Sequence, residues 1–155
     1  MSAAAYYLTW NTYGTWLPGD ARGSITHGAN RYRDPRFPAN DGIEAHVRRS
    51  LTHDPVLLTA EMRRVATEAI SEHCRFRRWA LHAVNVRTNH VHVVVSANEV
   101  PETVMAQLKA RCTRVLRERR LIGAELKPWA KHGSTRYIWE NQSITPAVRY
   151  VLEGQ

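Results

Sequence analysis

The chain has 155 residues, enough for one well-buried core and short for two, with 43% hydrophobic and 23% charged residues as in an ordinary globular protein. Its formal net charge of +8 is not ordinary, and it favours a polyanionic partner, nucleic acid ahead of an anionic membrane surface. The two cysteines argue against a disulfide framework, no apolar run reaches bilayer-spanning length, and no secretory signal is apparent, so a reduced, cytoplasmic protein is expected.

Residues 5–10 are aromatic and β-branched enough to predict a first strand, and residues 11–20 follow as a loop punctuated by Gly14, Pro18 and Gly19. From 21 to about 54 neither helical nor strand periodicity holds. Arg22, Arg31, Arg33, Arg36, Arg48 and Arg49 are scattered there, which reads as a basic insertion in a single 1–155 domain. Thr59 then predicts a helix cap with Glu61 in the first turn, and Leu58, Met62, Val65, Ala69 and Ile70 set an apolar face as far as about Cys74.

Residues 77–87 read as a strand, Thr88 and Asn89 as a tight turn, and the strand returns through His90-Val91-His92-Val93-Val94-Val95 to about Ala97. Because side chains alternate along a strand, His90 and His92 share one face while Val91, Val93 and Val95 share the other. One face can pack into a core while the other presents two imidazoles, common ligands of divalent metals.

Pro101 opens a second helix with Val104, Met105, Leu108, Cys112, Val115 and Leu116 on its apolar stripe. Its other positions include Lys109, Arg111, Arg114 and Arg117, a dense positive surface that suits phosphate. Gly123 and Pro128 break the chain, residues 134–140 read as a last strand, and Thr145-Pro146 predicts the start of a C-terminal helix over 147–153 with Tyr150 in its middle and Gly154 as its stop.

The order strand, helix, strand, strand, helix, strand predicts an α+β, ferredoxin-like split β-α-β fold: a four-stranded antiparallel sheet, two helices on one face, and a C-terminal helix carrying a tyrosine. The first and third strands would be central, which would make the His-Val-His strand a rigid support for a metal. Cys74 and Cys112 lie on apolar helix faces. Among the nucleophiles tyrosine therefore stands out, and its phenolate leaves readily enough to make attack on DNA reversible.

The Thr88-Asn89-His90-Val91-His92 run, a tyrosine on a helix after the last strand, and strong positive charge resemble the single-tyrosine HUH transposases. That group includes the small insertion-sequence and REP-associated tyrosine transposases. Residues 9–20 are similar to the start of one subgroup, and residues 109–116 to the family's second helix. The resemblance implies metal-dependent cleavage and rejoining of hairpin-containing single-stranded DNA through a 5′-phosphotyrosine, with Mg²⁺ or Mn²⁺. The metal histidines would be His90 and His92, the nucleophile Tyr150, and the partner state a homodimer, with Tyr150 serving either its own subunit's metal or its partner's. Related enzymes place a third metal ligand, a glutamine, about one turn beyond the tyrosine. Here Gly154 stands at that point, leaving Gln155 or Glu153 for the role.

Two other readings fit the same residues. One is a domesticated, transposase-derived nickase acting on genomic repeats. The other is a non-catalytic single-stranded nucleic-acid-binding module, whose stacking residues would be Tyr6, Trp10 and Trp79, although the histidines occupy the place where such a sheet would want aromatics.

Overall fold

In a computed structural model that describes residues 2–15 and 54–154, the sheet has the order β2-β3-β1-β4, with every neighbouring pair antiparallel. Its strands are β1 (Ala5–Thr12), β2 (Ala80–Val86), β3 (His90–Ser96) and β4 (Trp129–Ile138). The long helices are α1 (Ala60–Arg77) and α2 (Pro101–Glu118), and the chain continues through a 3₁₀ turn (Asn141–Ser143) into α3 (Ile144–Glu153). The split β-α-β order is as the sequence predicts, with β1 and β3 in the centre. Among the described residues no helix is long and apolar enough to cross a membrane. The basic insertion at 21–54 falls, apart from Asp54, outside the described residues, and so does Gln155.

The two faces of the sheet are covered by different helices. Leu8 and Trp10 of β1 join Val91, Val93 and Val95 of β3 in one cluster with Met62, Val65, Ala69 and Ile70 of α1 and Val104, Leu108 and Leu116 of α2. Ala5, Ala83 and Val94 turn the other way and form a second, smaller cluster with Ile138 and with Val151 of α3. Coverage on both sides explains why β3 is apolar almost throughout: Val91, Val93, Val94 and Val95 are all fully buried.

Element ends differ from the sequence expectations for local reasons. Thr59 caps α1 as predicted, its hydroxyl accepting from the Met62 N–H at 3.2 Å. The helix then runs one turn past Cys74 through Arg75, Phe76 and Arg77, all of them exposed, so the extra turn needs no core-facing apolar position. It stops at Arg78, which adopts the left-handed conformation (φ 61°) while the Trp79 N–H bonds back to the Cys74 carbonyl at 2.8 Å. Strand β2 therefore starts at Ala80 rather than at 77.

Strand β4 starts earlier than predicted, at Trp129 rather than 134, and ends at Ile138 rather than 140. Gly133 hid its first half by breaking the pattern, yet it is a packing residue. A Cβ there would lie 2.5 Å from the Thr9 carbonyl oxygen and 2.8 Å from Met105 Sδ, so β4 and α2 approach too closely for any side chain. Helix α3 begins at Ile144 behind the 3₁₀ turn, and Ser143, not Thr145, is its cap residue, without a side-chain cap bond. Pro146 falls in the first turn, where its missing N–H costs nothing.

Candidate metal and tyrosine site

The register of β1 against β3 pairs Thr9 with His92 and Asn11 with His90. Tyr7 and Thr9 thus share the sheet face of the two histidines, opposite the α1–α2 layer. The imidazoles stand edge to face with centroids 4.7 Å apart. His92 is only 7% exposed. Its Nδ1 lies 2.9 Å from the Tyr7 hydroxyl and 3.2 Å from the Thr9 hydroxyl. Both hydroxyls can accept from an Nδ1–H, the tautomer that leaves the Nε2 lone pair for a ligand.

His90 is oriented by its neighbour. Its Nδ1 donates to Asn89 Oδ1 at 2.7 Å, which again directs the Nε2 lone pair outward. Asn89 is itself held: its carbonyl accepts from the Thr12 N–H at 2.9 Å and from the hydroxyls of Thr12 and Thr15 at 3.3 and 3.4 Å. The buried Thr12 and its neighbour Thr15 therefore tie the loop after β1 to the residue that aims His90.

Helix α3 lies over the same face, seated by Val151 and by the Asn85 side chain, whose Nδ2 donates to the Val151 carbonyl at 2.8 Å. Asn85 pairs across β2–β3 with His92. Tyr150 is thereby carried to the imidazoles: its ring centroid is 6.3 Å from that of Tyr7, which in turn contacts His92 at 5.8 Å. Tyr150 is 54% exposed and lines an open depression with Pro146, Arg149, Glu153 and Gly154.

The two tyrosines differ in chemistry. Burial, reinforced by the nearby Tyr150 phenol, pushes Tyr7 up to about 12, against smaller lowering effects from Thr9 and Arg136. Tyr7 stays protonated and sits behind the site, while Tyr150 is the more exposed of the two. The thiols are no rivals. Burial raises Cys74 to about 11 and Cys112 to about 12, and both are free and buried.

Two imidazoles, each with its Nδ1 hydrogen-bonded, fit a divalent ion that completes its shell with oxygen ligands. Among the described residues no cluster of three or more His, Cys, Asp or Glu side chains stands at metal spacing. Glu153 is exposed on α3, and Gln155 lies outside the described residues.

The predicted DNA-contacting residues stand elsewhere. Lys109, Arg111, Arg114 and Arg117 are on α2, in the helix layer on the opposite side of the sheet. Lys109 is partly withdrawn: its ammonium donates to the Ala130 carbonyl at 2.9 Å, tying α2 to β4, and burial pushes it down to about 8. Arg114 pairs with Glu118 at 2.9 Å and Arg117 bonds the Leu126 carbonyl at 3.1 Å. Of the aromatics that a binding module would use, Trp10 and Trp79 are core residues, because their strand and helix-end positions face the helix layer. The sequence reading passed over Tyr7, Thr9 and Asn85 as site residues. Only the strand register reveals them, although the alternation of β1 already put positions 7 and 9 on one face.

The split β-α-β sheet thus carries a histidine pair on one face, with a helix-borne tyrosine above it. A family profile described as "Transposase IS200 like" matches residues 43–143, and the chain belongs to that family. The matched stretch contains His90 and His92 and ends before the helix that carries Tyr150.

Among solved structures, a REP-associated tyrosine transposase bound to a REP hairpin is similar in fold, at 13% identity and a TM-score of 0.54. The alignment covers 97% of this chain and 66% of that one, so this chain spans less than two thirds of its length. A protein of Deinococcus radiodurans R1 described as a transposase aligns over 98% of this chain and 91% of its own, at 11% identity and a TM-score of 0.48. No curated protein matches the chain.

Proposed function

We propose that this transposase cuts and rejoins hairpin-containing single-stranded DNA through a covalent bond to Tyr150. The observation that carries the reading is the convergence on one sheet face of His90, His92 and Tyr150, linked through Tyr7. The Tyr150 oxygen attacks a phosphodiester phosphorus. The bond from phosphorus to the 3′ oxygen breaks, the 5′ phosphate stays on the tyrosine, and the phenol proton ends on the released 3′ hydroxyl. A 3′ hydroxyl attacking the phosphotyrosine reverses the step, so no energy cofactor is needed to rejoin.

His90 and His92 would hold Mg²⁺ or Mn²⁺ through Nε2, with Gln155 or Glu153 as the further protein ligand. The ion would supply polarisation of the phosphoryl oxygens. Asn89 holds His90 in the liganding tautomer, Tyr7 and Thr9 can accept from an Nδ1–H of His92, and Arg149 lies beside Tyr150 where it can meet a phosphate. Because α3 packs on β2 and β3 of its own chain, we place Tyr150 with the histidines of the same subunit. Arg111, Arg114 and Arg117, with the remaining N–H of Lys109, would meet hairpin phosphates on the helix-layer side.

The test is incubation of the protein with a hairpin-flanked single strand and Mn²⁺, followed by denaturing electrophoresis. The expected result is a protein–DNA adduct on the 5′ end that Tyr150→Phe abolishes while strand affinity stays nearly unchanged. An adduct that survives in Tyr150→Phe refutes the nucleophile assignment. Undiminished cutting by His90→Ala refutes the metal assignment.

A further inference from the structure

At the β4 edge of the sheet, with β1 between it and the histidine strand, three aromatic side chains form a cluster. β4 is an edge strand, and its register sets Tyr137 beside Tyr6 and Thr135 beside Leu8, on the side of the sheet that faces the α1–α2 layer. Tyr6 meets Tyr137 edge to face, with centroids 5.4 Å apart and planes at 81°. Two residues further on, the Trp139 indole lies nearly parallel to Tyr137, at 5.2 Å and 14°.

These rings do not close a core. Tyr137 is 45% exposed and Trp139 53% exposed, and among the described residues Trp139 touches no ring besides Tyr137. A large aromatic side chain left open on an edge strand is a liability for self-pairing unless something uses it. The geometry also selects the user. Two parallel rings, braced by a third at right angles, continue naturally with another flat ring on the open indole face.

Charge on the strand agrees with a nucleic acid. Residues 129–138 include Lys131 and Arg136 and no acid; Arg136 alternates onto the opposite face beside Tyr7, the Glu102 carboxylate of α2 lies within electrostatic reach of Tyr6, and the neighbouring Glu140 carboxylate is engaged by Gln142 Nε2 at 2.6 Å. We propose that Trp139, backed by Tyr137 and Tyr6, is a stacking site for an unpaired base of the single strand, at the β4 edge and separate from the His90–Tyr150 face. This rests on the single-strand reading and names a second point at which the strand is held. Stacking is indifferent to base identity, because every base has a π face, so the site supplies grip and path rather than sequence.

The test is equilibrium binding, with no cleavage required. A short labelled oligothymidylate and an abasic strand with the same number of phosphates are titrated, in EDTA, with the unaltered protein, Trp139→Ala and Trp139→Phe. Trp139→Ala is expected to bind the oligothymidylate about 10-fold more weakly, Trp139→Phe to recover part of the loss, and the abasic strand to bind all three alike. Equal affinity of the unaltered protein and Trp139→Ala for the oligothymidylate overturns the proposal, as does an equal loss for both strands. Sedimentation adds a further outcome: if Trp139→Ala turns a dimer into a monomer at unchanged strand affinity, the patch is a self-association surface and the proposal falls. Adduct formation by Tyr150 is scored separately, so loss of stacking without loss of the adduct, or the reverse, shows which of the two readings has failed.

Discussion

The Tyr7 hydroxyl lies 2.9 Å from His92 Nδ1, so a half-buried phenol on one central strand orients the ring of a candidate metal ligand on the next. Orienting partners of this kind are commonly worth about 10- to 100-fold in metal affinity. Tyr7→Phe keeps the ring packing and removes the hydroxyl. With Thr9 still 3.2 Å away, Mn²⁺ binding by calorimetry is expected to weaken by about 10-fold, with the melting temperature of the metal-free protein little changed. Unaltered Mn²⁺ affinity would show that the hydroxyl does not position His92.

Asn85 makes a different kind of tie, from the sheet to the helix that bears Tyr150. Its bond to the Val151 carbonyl answers one of the carbonyls that a helix end leaves unpaired. Asn85→Ala is expected to cost about 1 kcal/mol locally, and Asn85→Asp more, since an oxygen then faces the carbonyl. Hydrogen exchange of the amides of 147–153 should quicken in both variants while that of α1 and α2 does not. Uniform quickening across the protein would mean that Asn85 supports the whole fold rather than the seat of α3.

Gly133→Ala tests the contact between β4 and α2. The added methyl would meet the Thr9 carbonyl oxygen and Met105 Sδ well inside contact distance. Overpacking of this kind costs about 1–3 kcal/mol, and a drop of that size in urea unfolding is expected. Adding Met105→Ala should not restore stability, because the backbone oxygen of Thr9 cannot retreat as a thioether can.

Lys109 gives a pH dependence of unusual sign. Burial lowers its folded value to about 8 from the usual 10.5. Between those values the unfolded chain holds the proton that the folded chain has released, so this residue makes the protein more stable as pH rises through that window. Below about pH 8 its cost is fully present. Cys74 and Cys112 act oppositely at higher pH, since their folded values are raised. The difference in melting temperature between the unaltered protein and Lys109→Met, which cancels the thiols, should shift in favour of the unaltered protein between about pH 8 and 10.5. A flat difference would place Lys109 in solvent.

Much of this arrangement was legible in the residues. His90, His92 and the alternating valines follow from period-two side chains, and Tyr150 from its place on a helix after the last strand. What escaped depends on pairing between distant segments. Tyr7 and Thr9 become site residues only when β1 is set against β3 with Thr9 opposite His92, and no local pattern encodes that offset. The first half of β4 went unread, since Gly133 interrupts the strand pattern and a strand glycine looks the same whether it ends pairing or admits a helix. Lys109 read as surface charge because its carbonyl partners at Ala130 and Lys131 belong to a strand that Gly133 concealed.

The burial of β3 on both faces has a further consequence for how errors in folding are registered. If β3 slipped by one residue against β1, the valines that fill the helix-side core would turn towards α3 and both imidazoles would be driven into hydrocarbon. Core and site would be lost together, because the same alternation writes both. A chain that has packed its valines has therefore already aligned its histidines with Tyr7 and Asn89, and a well-packed but misregistered competitor is denied to it.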